Sequence, residues 1–97
     1  MTQEIPFSFT ETALRELKNI ISTKGIPKEY GLRLGIKGGG CSGISYMLGF
    51  DTLKETDLNY TFESISIYIE KKHMMYILGK TVDFEDGINA RGFVFKD

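Results

Sequence analysis

The chain has 97 residues, 41% hydrophobic and 26% charged, a composition typical of one globular domain, and we expect residues 1–97 to form it. The formal net charge of −1 provides no global attraction to nucleic acid or anionic membranes, and no apolar run approaches the ~20 residues that span a bilayer. A single cysteine excludes an internal disulfide framework, and the N-terminus does not resemble a signal peptide, so we expect a cytoplasmic protein.

The first regular element is a helix predicted from Thr10 to Lys24. Its apolar residues recur at helical spacing and form one stripe. Thr10 is suited to cap the N-terminus, and Gly25 is typical of a residue that follows a helix. The stripe consists of Ala13, Leu14, Leu17, Ile20 and Ile21.

From Gly31 the hydrophobic period changes to two, which indicates strands. Alternation continues to Lys37, and it resumes from Ile44 to Phe50 after a glycine-rich turn. The pattern predicts a hairpin with the turn at its tip. Residues 51–57 are polar and predict a loop.

The second half predicts further short strands and one short helix. Alternating apolar residues indicate strands near residues 58–62, 65–69, 82–84 and 88–96, and an apolar run at 73–78 before Gly79 indicates the helix. Asp86-Gly87 is a turn signal. The fold class is therefore α+β, strand-dominated, with mostly antiparallel short strands, one N-terminal helix and one short helix.

Cys41 is the first candidate for chemistry. It lies in the segment Gly-Gly-Gly-Cys-Ser-Gly, residues 38–43, where glycines permit positive φ and backbone N–H groups can face a thiolate or an anion. The alternative is a buried apolar cysteine. The neighbouring residues supply no apolar wall, so we favour a functional thiol.

The sequence gives less support for other kinds of functional site. His73, the only histidine, stands beside two methionines, and we interpret it as a partly exposed structural residue. No Cys-His-acid arrangement follows from the spacing, so we do not expect an enzyme. The glycine turn lacks the phosphate-loop patterns, and the spacing typical of zinc ligands is absent. The aromatic residues at strand spacing predict a core rather than a binding surface. They are Tyr46, Tyr68, Phe84, Phe93 and Phe95.

Two blocks carry a resemblance to a known family. Residues 32–50 read Leu-Arg-Leu-Gly-Ile-Lys-Gly-Gly-Gly-Cys-Ser-Gly-Ile-Ser-Tyr-Met-Leu-Gly-Phe. Residues 83–95 read Asp-Phe-Glu-Asp-Gly-Ile-Asn-Ala-Arg-Gly-Phe-Val-Phe. Both blocks, in this order after an N-terminal helix, resemble the HesB-like, A-type iron–sulfur cluster carriers.

The resemblance implies a compact, strand-rich, oligomeric protein that takes part in iron–sulfur cluster assembly. It implies Cys41 as a metal ligand and Gly39, Gly40, Ser42 and Gly43 as residues around the cofactor, which would be iron or a 2Fe–2S cluster. Its partners would be the assembly machinery or recipient apoproteins, with no nucleic acid or membrane. The family also has a C-x-C motif on a C-terminal tail. The sequence ends at Asp97, before such a motif, and we expect the pair to be absent naturally rather than by truncation.

Three hypotheses follow. The first is a carrier that binds iron or a 2Fe–2S cluster at a subunit interface through Cys41, with external ligands completing the shell. The second is a HesB-like protein-interaction module that has lost metal binding. The third, which we favour least, is a thiol-redox protein.

Overall fold

The computed structural model describes residues 5–38, 43–88 and 91–97. Within these residues the chain forms seven strands and two helices, which confirms the strand-dominated α+β prediction. In chain order the elements are β1 (Ser8–Phe9), α1 (Glu11–Thr23), β2 (Tyr30–Gly38), β3 (Ile44–Thr52), β4 (Asp57–Phe62), β5 (Ile65–Glu70), α2 (Met74–Ile77), β6 (Thr81–Asp86) and β7 (Arg91–Lys96). A 3₁₀ turn, Lys71–His73, leads into α2.

The strands form two sheets, one of four strands in the order β3-β2-β5-β4 and one of three in the order β1-β6-β7. The pairs β2–β3, β4–β5 and β6–β7 are antiparallel, as predicted for strands that follow one another in the chain. The pairs β2–β5 and β1–β6 are parallel. These parallel pairs join strands that are distant in sequence, so the local pattern did not reveal them.

One face of the four-stranded sheet packs into the core together with α1, α2 and the three-stranded sheet. Strand residues alternate between this core face and an outer face. The core is entirely apolar among the described residues. Its buried members are Phe7, Ala13, Leu17, Leu32, Leu34, Ile65, Ile67, Ile69, Ile77, Val82 and Phe84.

Helix α1 begins and ends where the sequence predicts. The hydroxyl of Thr10 accepts a hydrogen bond from the backbone N–H of Ala13 at 3.1 Å, which satisfies a donor that the first turn leaves unpaired. At the other end Gly25 has a φ of +63°, the left-handed conformation that ends many helices. The predicted stripe faces the core, with Ala13 and Leu17 fully buried.

Three local details differ from the sequence prediction. The strand predicted at residues 88–96 is β7, Arg91–Lys96, and Ile88 lies in a bend. The loop expected at residues 51–57 is shorter, because β3 continues to Thr52 and β4 begins at Asp57. Strand β1 was not predicted. It has two residues and exists only because β6 offers a parallel partner for Ser8 and Phe9.

Strands β4 and β5 are joined by the two-residue turn Glu63-Ser64. Both residues have positive φ, 49° and 69°, as a hairpin turn between paired Phe62 and Ile65 requires. Neither is glycine or asparagine, so the turn carries no strong sequence signal.

No helix within the described residues is long and apolar enough to cross a bilayer.

Candidate functional site

The predicted hairpin is the scaffold of the candidate site. Strands β2 and β3 pair antiparallel over nine residues each, from Tyr30 opposite Thr52 to Gly38 opposite Ile44. This pairing brings the two ends of the glycine-rich segment next to each other. The predicted hairpin is therefore confirmed up to both ends of the turn.

Glycines stand on both sides of segment 39–42. Gly38 has a φ of +88° and Gly43 a φ of +77°, a region that other residues adopt at a cost. A Cβ atom added to Gly38 would lie 3.1 Å from the carbonyl oxygen of Gly43. Positive φ and this close approach explain why glycine occupies Gly38, whereas at Gly43 only the backbone conformation requires it.

Four of the five predicted site residues, Gly39, Gly40, Cys41 and Ser42, lie outside the described residues. Gly43 is the one that is described, and it lies immediately before β3. The roles that the sequence predicts for all five stay predictions.

His73 lies against the strand that leads into the turn. Its Nδ1 atom accepts a hydrogen bond from the backbone N–H of Ile36 at 3.5 Å. Its ring also covers Gly35, where an added Cβ would lie 2.9 Å from Nδ1. The pairing of β2 with β5 ends at Leu34 and Ile69, so His73 supplies an acceptor where the neighbouring strand stops. This structural role agrees with the interpretation made from the sequence.

The C-terminal strand packs against the hairpin near the turn. The ring of Phe95 on β7 stacks on Tyr46 of β3, with centroids 4.8 Å apart and an interplanar angle of 15°. Lys80 Nζ lies 5.7 Å from the centroid of Tyr46 and forms an ion pair with Asp97. The structure therefore brings the end of β7 to the part of β3 that follows the glycine turn.

Four of the five aromatic residues confirm the expectation of a core, whereas Tyr68 is buried on the outer face of the sheet. Tyr68 and Phe84 are buried, and Tyr46, Phe93 and Phe95 are half-buried against the core cluster. Tyr68 covers Gly31 on the outer face, where its ring atoms would lie within 2.7 Å of an added Cβ.

Sequence reasoning missed a charge cluster on the outer face of the four-stranded sheet. Arg33 donates two hydrogen bonds to the carboxylate of Asp57, at 2.8 and 2.6 Å, and one to Asp51 at 3.2 Å. A further bond joins its guanidinium to the carbonyl oxygen of Thr52 at 2.9 Å. In a strand of alternating apolar and polar residues, an arginine indicates only a solvent-facing position. The neighbouring sequence therefore did not predict the partners of Arg33.

The contacts within this charge cluster shift the pKa values of Arg33, Asp51 and Asp57. The hydrogen bonds from Arg33 lower the pKa of Asp57, and the same contact raises the pKa of Arg33. Hydrogen bonds from Lys54 and from the Thr52 backbone lower the pKa of Asp51 to about 2. All three groups are therefore charged at neutral pH, and the cluster is structural.

No group of three or more potential metal-binding side chains (His, Cys, Asp or Glu) occurs among the described residues. Iron–sulfur clusters take about four ligands, usually thiolates. The part of the chain that the structure describes does not by itself hold a complete ligand set.

Comparisons with known proteins agree with this architecture. A sequence model of the family described as iron-sulphur cluster biosynthesis matches residues 5–97. The iron-sulfur cluster insertion protein ErpA of Actinobacillus pleuropneumoniae is 33% identical over 95 residues, which cover 97% of this chain and 83% of that protein.

Two solved structures share the fold. The crystal structure of Escherichia coli SufA, involved in biosynthesis of iron-sulfur clusters, superposes with a TM-score of 0.74 at 24% identity, over 98% of this chain and 85% of that one. The crystal structure of IscA with the [2Fe-2S] cluster gives a TM-score of 0.73 at 22% identity, over 94% and 84% of the two chains. At these identities the likeness shows the fold.

Proposed function

Because this chain belongs to the iron–sulphur cluster biosynthesis family, we propose that it is a cluster carrier that binds iron or a 2Fe–2S cluster through Cys41. The bound iron or cluster is cargo received from assembly machinery or passed to a recipient apoprotein. The protein acts in the cytoplasm, with residues 1–97 as one domain, and its task is transfer of cargo rather than catalysis.

The observation that carries the proposal is the hairpin that flanks Cys41. Paired strands with left-handed glycines at both ends enclose the segment that contains the only thiol of the chain. Where side chains are absent or small, backbone N–H groups are free to donate hydrogen bonds to cluster sulfur or to a thiolate. We assign this role to Gly39, Gly40, Ser42 and Gly43, next to Cys41 as the ligand.

The number of ligands requires more than one chain. One thiolate per chain leaves about three positions of a cluster open, and the described residues offer no preformed donor group. A subunit interface that brings two copies of Cys41 together supplies two thiolates. Glutathione, water or carboxylates complete the shell.

Anaerobic reconstitution with iron and sulfide tests the proposal. We expect visible charge-transfer absorption and retained iron in the wild-type protein, and the loss of both in Cys41→Ser. The matched control moves the thiol to the exposed strand position of Ser45, as Cys41→Ser combined with Ser45→Cys. This variant keeps one thiol per chain but is not expected to restore the absorption.

A colourless wild-type protein that retains no iron would contradict the carrier function. It would favour the alternative, a protein-interaction module without metal, whose partner capture and oligomeric state do not change in Cys41→Ala.

A further inference from the structure

Strand β3 is a long open edge. The order β3-β2-β5-β4 places it at the border of its sheet, and its nine residues pair with β2 in an uninterrupted register. Strands at sheet edges are commonly protected by proline, lysine or a bulge, because their unpaired backbone groups can bind another strand. Between Ile44 and Thr52 there is no proline, lysine or break in the register.

The hydrogen bond of His73 establishes which backbone groups face this edge. The N–H of Ile36 points away from β3, toward His73, so Ile36 and Tyr46 form a pair that exchanges no hydrogen bonds. Tyr46 therefore directs its N–H and C=O to the open side, and so do Leu48 and Phe50 by alternation. Within the described ranges these outward groups have no backbone partner.

We propose that this edge binds a second copy of the chain, β3 against β3 and antiparallel, with the two-fold axis at Leu48. In this register Leu48 pairs with Leu48 of the partner subunit, and Tyr46 pairs with the partner's Phe50. These are the residues whose backbone groups face outward, so the two sheets join into one sheet of eight strands.

In this register the outer-face side chains of the two copies have complementary shapes. Met47, 41% exposed, lies opposite Gly49 of the partner subunit, and an added Cβ at Gly49 would meet no atom within 4 Å. Each copy therefore offers one large apolar side chain, Met47, and one open space, at Gly49, for the partner's Met47 side chain. This complementarity favours a copy of the chain over an unrelated strand.

The charges on the outer face are also complementary. Ser45 lies opposite Asp51 of the partner subunit, and Lys37 is the neighbour of Ser45 within its own sheet. Two strand spacings, about 10 Å between backbones, separate Lys37 from the partner's Asp51, a distance that the two side chains span. Symmetry repeats the contact on the other side of the axis.

This interface is independent of the proposed cluster site. Antiparallel pairing places the two Ile44 residues about 27 Å apart, at opposite ends of the joined strands. An iron–sulfur cluster shared by two copies of Cys41 would then connect chains that belong to two different β3-paired dimers. The inference does not rest on the proposed function, and each contact can fail without the other.

The experiment uses metal-free Cys41→Ser protein, in which no thiol or cluster can link the chains. Sedimentation measures its dimer dissociation constant. Gly49→Val fills the space that Met47 of the partner subunit would occupy. We expect the dissociation constant to increase at least about tenfold, on the scale produced by overpacking a close contact. Gly92→Val on β7, where an added Cβ also meets no atom within 4 Å, is the matched control and leaves the constant unchanged.

The thermal midpoint distinguishes loss of the interface from loss of the fold. We expect Gly49→Val, at a low concentration where the protein is monomeric, to unfold no earlier than its parent, because valine suits a strand better than glycine. In addition, amide exchange at Tyr46, Leu48 and Phe50 slows as dimer forms. A chain that stays monomeric at about 1 mM overturns the proposal, as does a dimer in which these three amides stay unprotected.

Discussion

Arg33 lies on the outer face of β2 with 18% of its side chain exposed, while the side chain of Asp57 is 0% exposed. A carboxylate without contact with water requires hydrogen bonds to its oxygens, and the guanidinium supplies two. The backbone N–H of Lys54 supplies another at 2.8 Å. A single arginine thereby joins the end of β3 to the start of β4, two strands that lie at opposite borders of the sheet.

We expect Asp57→Asn to lower the free energy of unfolding by about 1–3 kcal/mol, because the guanidinium loses an ionised, bidentate partner whose side chain is buried. Denaturant unfolding measures the change. As a control, Lys18→Gln removes the exposed ion pair with Glu63 and is expected to change stability by less than about 0.5 kcal/mol. Equal effects in the two variants would show that the Arg33 contacts contribute no more than a surface pair.

The packing of elements depends on a junction between α1 and the three-stranded sheet. The hydroxyl of Thr10 accepts from the Ala13 N–H and donates to Asp83 Oδ1 of β6 at 2.7 Å. The N–H of Thr10 bonds to the carbonyl oxygen of Val82 at 3.0 Å. The N-cap residue of α1 therefore also links the helix to the three-stranded sheet.

We expect Thr10→Ala to lower the free energy of unfolding by about 1 kcal/mol, the usual cost of a lost N-cap, with the bond to Asp83 adding to it. Thr10→Ser keeps the hydroxyl and retains most of the stability. Thermal unfolding followed by circular dichroism compares the two. If both variants lost equal stability, the methyl group rather than the hydroxyl would be the important part of Thr10.

Across the whole molecule, ionised aspartates stabilise the connections between elements. The hydroxyl of Thr10 and the ammonium of Lys96 lower the pKa of Asp83, while Arg33 does the same for Asp57. Asp51 titrates at about 2. Unfolded aspartate titrates near 3.9, so the unfolded chain binds protons in a range where the folded one does not.

We therefore expect the free energy of unfolding to change little between about pH 5 and about pH 8, and to fall as the pH drops from about 4 toward about 2. The sign follows from the lowered folded-state pKa values, because acid protonates the unfolded chain first. Urea unfolding as a function of pH measures the slope, and Asp51→Asn makes it shallower. A slope that is the same in wild type and Asp51→Asn would contradict this account.

The sequence alone determined those parts of the fold that depend on neighbours in the chain. The period of α1, its cap at Thr10 and its end at Gly25 are local signals, and the alternation in β2 and β3 with glycines between them specifies a hairpin. The two sequence blocks also carry the family resemblance. Cys41 was found as a candidate because a thiol among glycines is a local feature.

Only the tertiary structure decided the contacts between distant residues. The parallel pair β2–β5, the salt bridge of Arg33 with Asp57 and the packing of His73 on Gly35 each join positions 24 to 38 residues apart, where no local pattern records the partner. The turn Glu63-Ser64 adopts positive φ without glycine, since burial of Ile65 and Ile67 in the core outweighs the local preference. The open edge of β3 is likewise a consequence of sheet order, which hydrophobic periodicity does not encode.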